Sequence, residues 1–234
     1  MLVQMFLWSA IYASAPSAIV YGYSFEQMML YTLFSGFITI WVRTGFEMEI
    51  SEDVKGGQLD RFLVQPLGYS RYRIALFLGR KVTQLVVVLV MLLIGLIFMN
   101  WQILGLLHIQ RLGWGAAALV LAVVLNYYIF LSISLLSFWS TDASGFFSTF
   151  HLISNIASGG VFPLNIFTGG VRLALSALPF QYVVYFPICI LNGQIESSEI
   201  VGGILMQLLW ILVFWGLSAL LWRKGISKYV SVGG

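Results

Sequence analysis

The sequence predicts an all-α polytopic membrane protein: a single transmembrane domain over residues 1–234 with six transmembrane helices, a re-entrant element before the last and a cytoplasmic hairpin between the second and third. Three observations predict it. First, 60% of the residues are hydrophobic and 9% are charged, against roughly 25% charged in a soluble globular domain. Second, the charges are clustered, leaving uncharged stretches such as Val82–Gln110, Leu112–Thr141 and Ile200–Trp222. Each can supply the ~20 apolar residues that cross a ~30 Å hydrocarbon core. Third, the apolar runs show no period-2 alternation and few breakers, which favours helices over a barrel of short strands.

Spans are expected at about residues 2–20, 25–42, 82–99, 114–139, 144–162 and 200–222. Met1–Val20 lacks the basic start of a signal peptide and is followed by further spans, so it reads as a retained helix. Seven of the 12 basic residues (Arg43, Lys55, Arg61, Arg71, Arg73, Arg80 and Lys81) lie between the second and third spans. Positive charge marks the inside, so segment 43–81 is placed in the cytoplasm. Alternation then puts the Gly22–Glu26 turn and the Asn100–Gly113 loop outside, the Ser140–Ala143 turn inside, and both termini in the cytoplasm.

Segment 163–192 is the ambiguous one. A full crossing by Val171–Leu191 would leave Arg223, Lys224 and Lys228 outside, against the positive-inside bias, and Pro179 and Pro187 would interrupt its helix. A re-entrant piece broken by Pro163, Gly169, Gly170, Pro179 and Pro187 fits better, and a long extracellular surface loop is the alternative.

Within the 43–81 segment, Ile50 and Val54 share one helical face while Glu49, Glu52 and Asp53 point elsewhere. Lys55-Gly56-Gly57 then breaks the chain. Leu59, Phe62 and Leu63 follow at the spacing of a helix that buries one side, with Asp60 and Arg61 exposed, and Pro66 ends it. The expected unit is a helix–Gly-Gly–helix hairpin at the membrane surface. An apolar stripe framed by mixed charge suits insertion into a groove of a soluble partner. The bland reading is an interfacial helix resting on headgroups, which the four acidic residues from Glu47 to Asp53 disfavour.

The run Glu52-Asp53-Val54-Lys55-Gly56-Gly57-Gln58-Leu59-Asp60-Arg61-Phe62-Leu63-Val64-Gln65-Pro66-Leu67 resembles the cytoplasmic segment of ABC type-2 export permeases, whose pattern runs roughly acid-Ile-x-x-Gly-x-Leu-x-x-x-Leu-x-x-Pro. Leu7-Trp8-Ser9-Ala10-Ile11-Tyr12, Gly22-Tyr23-Ser24, Tyr31 and the tail Trp222-Arg223-Lys224-Gly225-Ile226-Ser227-Lys228-Tyr229 extend the resemblance over most of the chain. It implies the membrane permease subunit of an ATP-driven ABC exporter in a bacterial-type plasma membrane. It also implies a second permease, identical or paralogous, and an ATP-binding cassette ATPase subunit that holds ATP and Mg. No cofactor is expected on this chain, and no Gly-x-x-x-x-Gly-Lys-Ser/Thr phosphate loop occurs in it. The residues expected to couple to the ATPase are Glu52, Asp53, Gly56, Gly57, Leu59, Asp60, Phe62, Leu63 and Pro66. One departure is that the family usually begins with a cytoplasmic amphipathic helix, whereas here the first span starts at Met1. Either the true start lies upstream or that ATPase contact is missing.

Along the fifth span Ser144, Ser148, His151, Asn155 and Ser158 align on one face, and Thr32, Ser35 and Thr39 do so on the second. These polar stripes either line a translocation path, as the resemblance implies for the same two helices, or let helices pack closely and hydrogen-bond. His151 is the one ionisable residue expected at depth, so a carboxylate proton relay is disfavoured. A hydrophobic or amphipathic substrate (drug, lipid or peptide) is favoured for want of counter-charge. With Cys189 alone no internal disulfide forms, and no metal-ligand spacing occurs. Two alternatives stand beside the exporter. An intramembrane serine-type enzyme would use His151 among its serines, against which Ser148 and His151 share one helix without a nucleophile motif. The other is the membrane subunit of an ATPase-linked vitamin importer.

Overall fold

A computed structural model of the chain describes residues 2–63, 68–98, 109–140 and 144–229. Pro66, most of the Asn100–Gly113 loop and most of the Ser140–Ala143 turn lie outside the described residues. Among the described residues, three segments are long and apolar enough to cross a membrane: Tyr69–Met91, Leu112–Phe138 and Ser197–Ile226.

Helix α1 (Leu2–Ser14) ends short of Val20. Pro16 follows, unable to continue an i→i−4 ladder, and the chain turns through a two-stranded ribbon of β1 (Ile19–Val20) and β2 (Tyr23–Ser24). Tyr12 Oη donates to the Tyr23 carbonyl at 2.7 Å, fastening the ribbon to α1. Helix α2 (Phe25–Val42) has the bounds expected from hydropathy. Ser24 caps it: the Gln27 amide donates to Ser24 Oγ, and the Ser24 amide donates to the Gln27 side chain, a reciprocal capping box. At its other end, Asn126 Nδ2 donates to the Val42 carbonyl at 2.8 Å and Lys81 Nζ to the Arg43 carbonyl at 2.7 Å, so two side chains distant in sequence satisfy the final turn.

Helices α3 (Glu47–Lys55) and α4 (Asp60–Leu63) flank Gly56-Gly57. Gly57 has φ 71°, a backbone that the absence of a Cβ permits. Helix α5 (Tyr69–Phe98) begins well before Val82. The charged run from Arg71 to Lys81 contains no proline, and Arg73, Arg80 and Lys81 find partners on α3 and at the end of α2, so these turns stay helical despite Gly79.

Helix α6 (Leu112–Ser134) continues into a 3-10 turn (Leu135–Phe138). It is the central element: α2, α3, α9 and α10 pack on it, and Ala118, Ala122, Leu125 and Ile129 are fully buried. Helix α7 (Ser144–Ala157) stops at Ser158-Gly159-Gly160, where Gly159 has φ 83°. Segment 163–192 forms no single helix. It comprises the exposed α8 (Gly169–Ala177), a 3-10 turn (Pro179–Tyr182) and the buried α9 (Tyr185–Leu191). At about 1.5 Å per residue, seven residues are far too few to cross a bilayer. Helix α10 (Ser197–Ile226) closes the molecule against α6. A Cβ on Gly203 would lie 2.1 Å from the Phe186 ring, so glycine permits the close approach of α10 to α9. Gln207 is fully buried on α10 and donates to the carbonyls of Ala118 at 3.0 Å and Tyr182 at 2.9 Å, tying α10 to α6 and to the 3-10 turn.

Candidate functional site

The hairpin folds as two helices around its glycine pair, but its faces are arranged differently from the sequence expectation. Ile50, Val54, Leu59 and Phe62 are all buried within the chain itself. Phe62 packs against Tyr69 and Tyr72 at centroid distances of 5.2 and 4.8 Å, and Tyr69 stacks on Trp222 of α10 at 5.2 Å with planes 6° apart. The apolar stripe, including Leu59 and Phe62, therefore joins the core rather than facing outward. The charged face differs as well. Asp53, expected to point away, is 5% exposed and accepts from Arg73 Nη2 and, at 2.8 Å, from Tyr69 Oη. The reason is Arg73, whose Nη1 also donates to Glu49 at 2.8 Å and whose Nε donates to Tyr69 Oη at 2.9 Å. A buried guanidinium needs paired anions, and both come from α3.

Burial would raise the Glu49 carboxyl, but hydrogen bonds from Arg80 and Arg73 outweigh it and hold the group below the ordinary carboxylate range. Glu52, Lys55, Gly56 and Gln58 form the exposed tip, and Met48 is also exposed. Asp60 is half-buried, Gly57 lies at the turn, and the side chain of Leu63 is outside what the structure describes.

A second connection runs from α3 to α7. Glu47, 4% exposed, accepts from Thr44 Oγ1, and its Oε1 lies 3.5 Å from Nε2 of His151. Burial would raise the Glu47 carboxyl, yet the His151 and Thr44 hydrogen bonds prevail and keep it below the ordinary carboxylate range. The His151 ring stacks on Phe130 of α6 at 4.3 Å.

His151 opens onto a cavity of about 250 Å³ between α2, α6, α7 and the start of α9. The cavity takes in Thr39, His151, Asn155 and Ser158 from the predicted stripes. The other members lie elsewhere: Thr32 and Ser35 are buried and donate to carbonyls of their own helix, those of Met28 and Thr32, and Ser148 is exposed. The side chain of Ser144 is outside what the structure describes.

Arg43, Asn126 and Ser154 complete the polar wall, and Val42, Phe130, Val183 and Val184 form the apolar one. Sequence reasoning missed these polar three. Ser154 is the i+3 neighbour of His151 and was legible as part of its stripe; Asn126, a lone amide in an apolar span, carried only a weak signal. Thr39 Oγ1 and Asn155 Oδ1 are buried without a hydrogen-bond partner in the cavity wall, which otherwise mixes polar and apolar side chains. Such a lining suits a molecule with a neutral or anionic polar group and an apolar body.

The chain matches, over residues 1–233, the sequence profile of a family described as ABC-2 family transporter protein. It matches no curated protein and no solved structure.

Proposed function

Because the chain belongs to the ABC-2 family of transporter membrane proteins, making it the multi-pass membrane component of an ABC transporter rather than an enzyme, we propose that it works as an exporter. It moves a hydrophobic or amphipathic substrate out of the cytoplasm while a partner cassette subunit hydrolyses ATP. The observation that carries this reading is the double attachment of the hairpin. Arg73 ties α3 to α5 through Asp53 and Glu49, and Glu47 meets His151 on the helix that borders the cavity. A displacement of the hairpin would reach the cavity through paired side chains instead of a slack loop.

In this reading the ATPase contacts the exposed tip of Glu52, Lys55, Gly56 and Gln58. Asp53, Leu59 and Phe62 act from behind by holding the tip in place. The path runs through the Thr39–His151–Asn155–Ser158 cavity and is completed by a second permease copy. Six crossings, a re-entrant α8–α9 segment and cytoplasmic termini accord with the basic residues of segment 43–81 and of the tail, with the break of segment 163–192 into short helices supporting the fifth-to-sixth connection.

The test is reconstitution with the ATP-binding subunit in proteoliposomes. Glu52→Lys should leave the permease folded and abolish the stimulation of ATP hydrolysis by permease, with transport falling in parallel. Unchanged stimulation would overturn the assignment of the tip. Purification of the permease without any ATP-binding subunit under mild detergent would overturn the coupling itself.

A further inference from the structure

A cavity of about 230 Å³ lies between α5, α6 and α10, lined by other residues of α6 than the path cavity. Its floor is aromatic: Tyr69, Tyr128, Trp215 and Trp222. Its rim carries Arg223, which is exposed, together with Ser70. Tyr69, Ser70 and Trp222 are shared with a neighbouring hollow whose wall includes Arg71, also exposed. The buried Arg73 on the inner wall is already matched by Asp53 and Glu49. Arg223 and Arg71 enter no ion pair among the described residues, and no carboxylate lines the cavity. Below the rim the flanking helices present lipid-type surface, with Ile74, Leu78, Trp215 and Leu220 exposed.

We propose that this cavity holds an anionic phospholipid of the cytoplasmic leaflet, its phosphate beside Arg223 and Arg71 and its glycerol and upper acyl carbons against the Tyr69–Trp222 stack and Trp215. The argument is charge complementarity joined to position. Two cations stand over an aromatic floor at the ends of two membrane-length helices, where interfacial tryptophan and tyrosine sit at headgroup depth. Arginine adds a planar fork that pairs with phosphate oxygens. The Tyr69–Trp222 stack joins α5 to α10 directly behind α4, so an occupied cavity would brace the hairpin. The proposal rests on the orientation given above, in which these helix ends face the cytoplasm.

The experiment uses the full chain in a mild neutral detergent and measures retention of added phosphatidylglycerol and phosphatidylcholine of matched chains by native mass spectrometry. Phosphatidylglycerol should bind the wild type roughly tenfold more tightly. Arg71→Gln combined with Arg223→Gln should remove that preference, while Arg71→Lys with Arg223→Lys keeps most of it, and circular dichroism should show all three folded. Equal retention of the two lipids by the wild type overturns the proposal, as expected if a second copy of the chain covers the cavity; so does an unchanged preference in the Gln variant. Sidedness has no meaning in detergent, so this result is independent of the proposed orientation, which cysteine labelling of Ser227→Cys in intact cells tests separately.

Discussion

Nε2 of His151 lies 3.5 Å from Oε1 of Glu47, and this contact joins the surface hairpin to the helix that borders the cavity. The two residues are 104 positions apart in sequence. Glu47 is held below its ordinary range by hydrogen bonds that outweigh burial. A carboxylate whose folded pKa is depressed contributes stability that is present above its unfolded pKa and lost as pH falls through the folded value. Thermal unfolding in detergent should therefore show a loss of stability on acidification below the ordinary carboxylate range. Glu47→Gln should flatten that part of the profile while lowering Tm at neutral pH by about 2–4 °C. A profile unchanged by the substitution would show that the contact carries no coupling.

Arg73 and Asp53 form a buried pair, with side chains 6% and 7% exposed. Removing Arg73 alone, as in Arg73→Met, leaves the buried Asp53 without its cation, while Glu49 keeps Arg80, and should cost ~3–5 kcal/mol. Adding Asp53→Leu should recover much of that loss. The recovery, read as the interaction energy of a double-mutant cycle in denaturant or thermal unfolding, distinguishes a true pair from two independent packing roles.

Leu59 and Glu52 separate the two faces of the hairpin. Leu59→Ala should destabilise the fold by ~2–5 kcal/mol, because a fully buried side chain is lost from the core. Glu52→Ala, on the exposed face, should stay within ~0.5 kcal/mol. Unfolding measurements check both. Comparing them with ATPase stimulation then shows that Leu59 acts through stability and Glu52 through partner contact.

The approach of α10 to α9 depends on Gly203. Gly203→Ala places a methyl group into the Phe186 ring and should cost ~1–3 kcal/mol. Gln207→Leu removes two interhelical hydrogen bonds and should cost ~1 kcal/mol. Gly202 has open space at its Cβ position, so Gly202→Ala is the control expected to leave Tm unchanged or slightly raised.

The membrane class, the bounds of α2 and the Gly-Gly break between α3 and α4 were all legible in the sequence, because each follows from composition, spacing or backbone chemistry within a few residues. The bounds of α1 and α5 were less so. Hydropathy alone carries the first helix through Pro16, and charge alone holds the third back to Val82. The Arg71–Lys81 turns are helical because their cations find partners on other elements, a property that local hydropathy does not contain.

The same division holds for the hairpin. By itself the sequence determined that Ile50, Val54, Leu59 and Phe62 share buried faces, since helical periodicity reports that a face is covered. Only the tertiary structure decided what covers it. The stripe packs on the chain's own Tyr69, Tyr72 and Trp222, Arg73 turns Asp53 inward, and Glu52 and Gln58 remain outside. Periodicity is a property of one helix, whereas the pairings of Arg73 with Asp53 and of Glu47 with His151 depend on how separate helices are brought together by packing around α6.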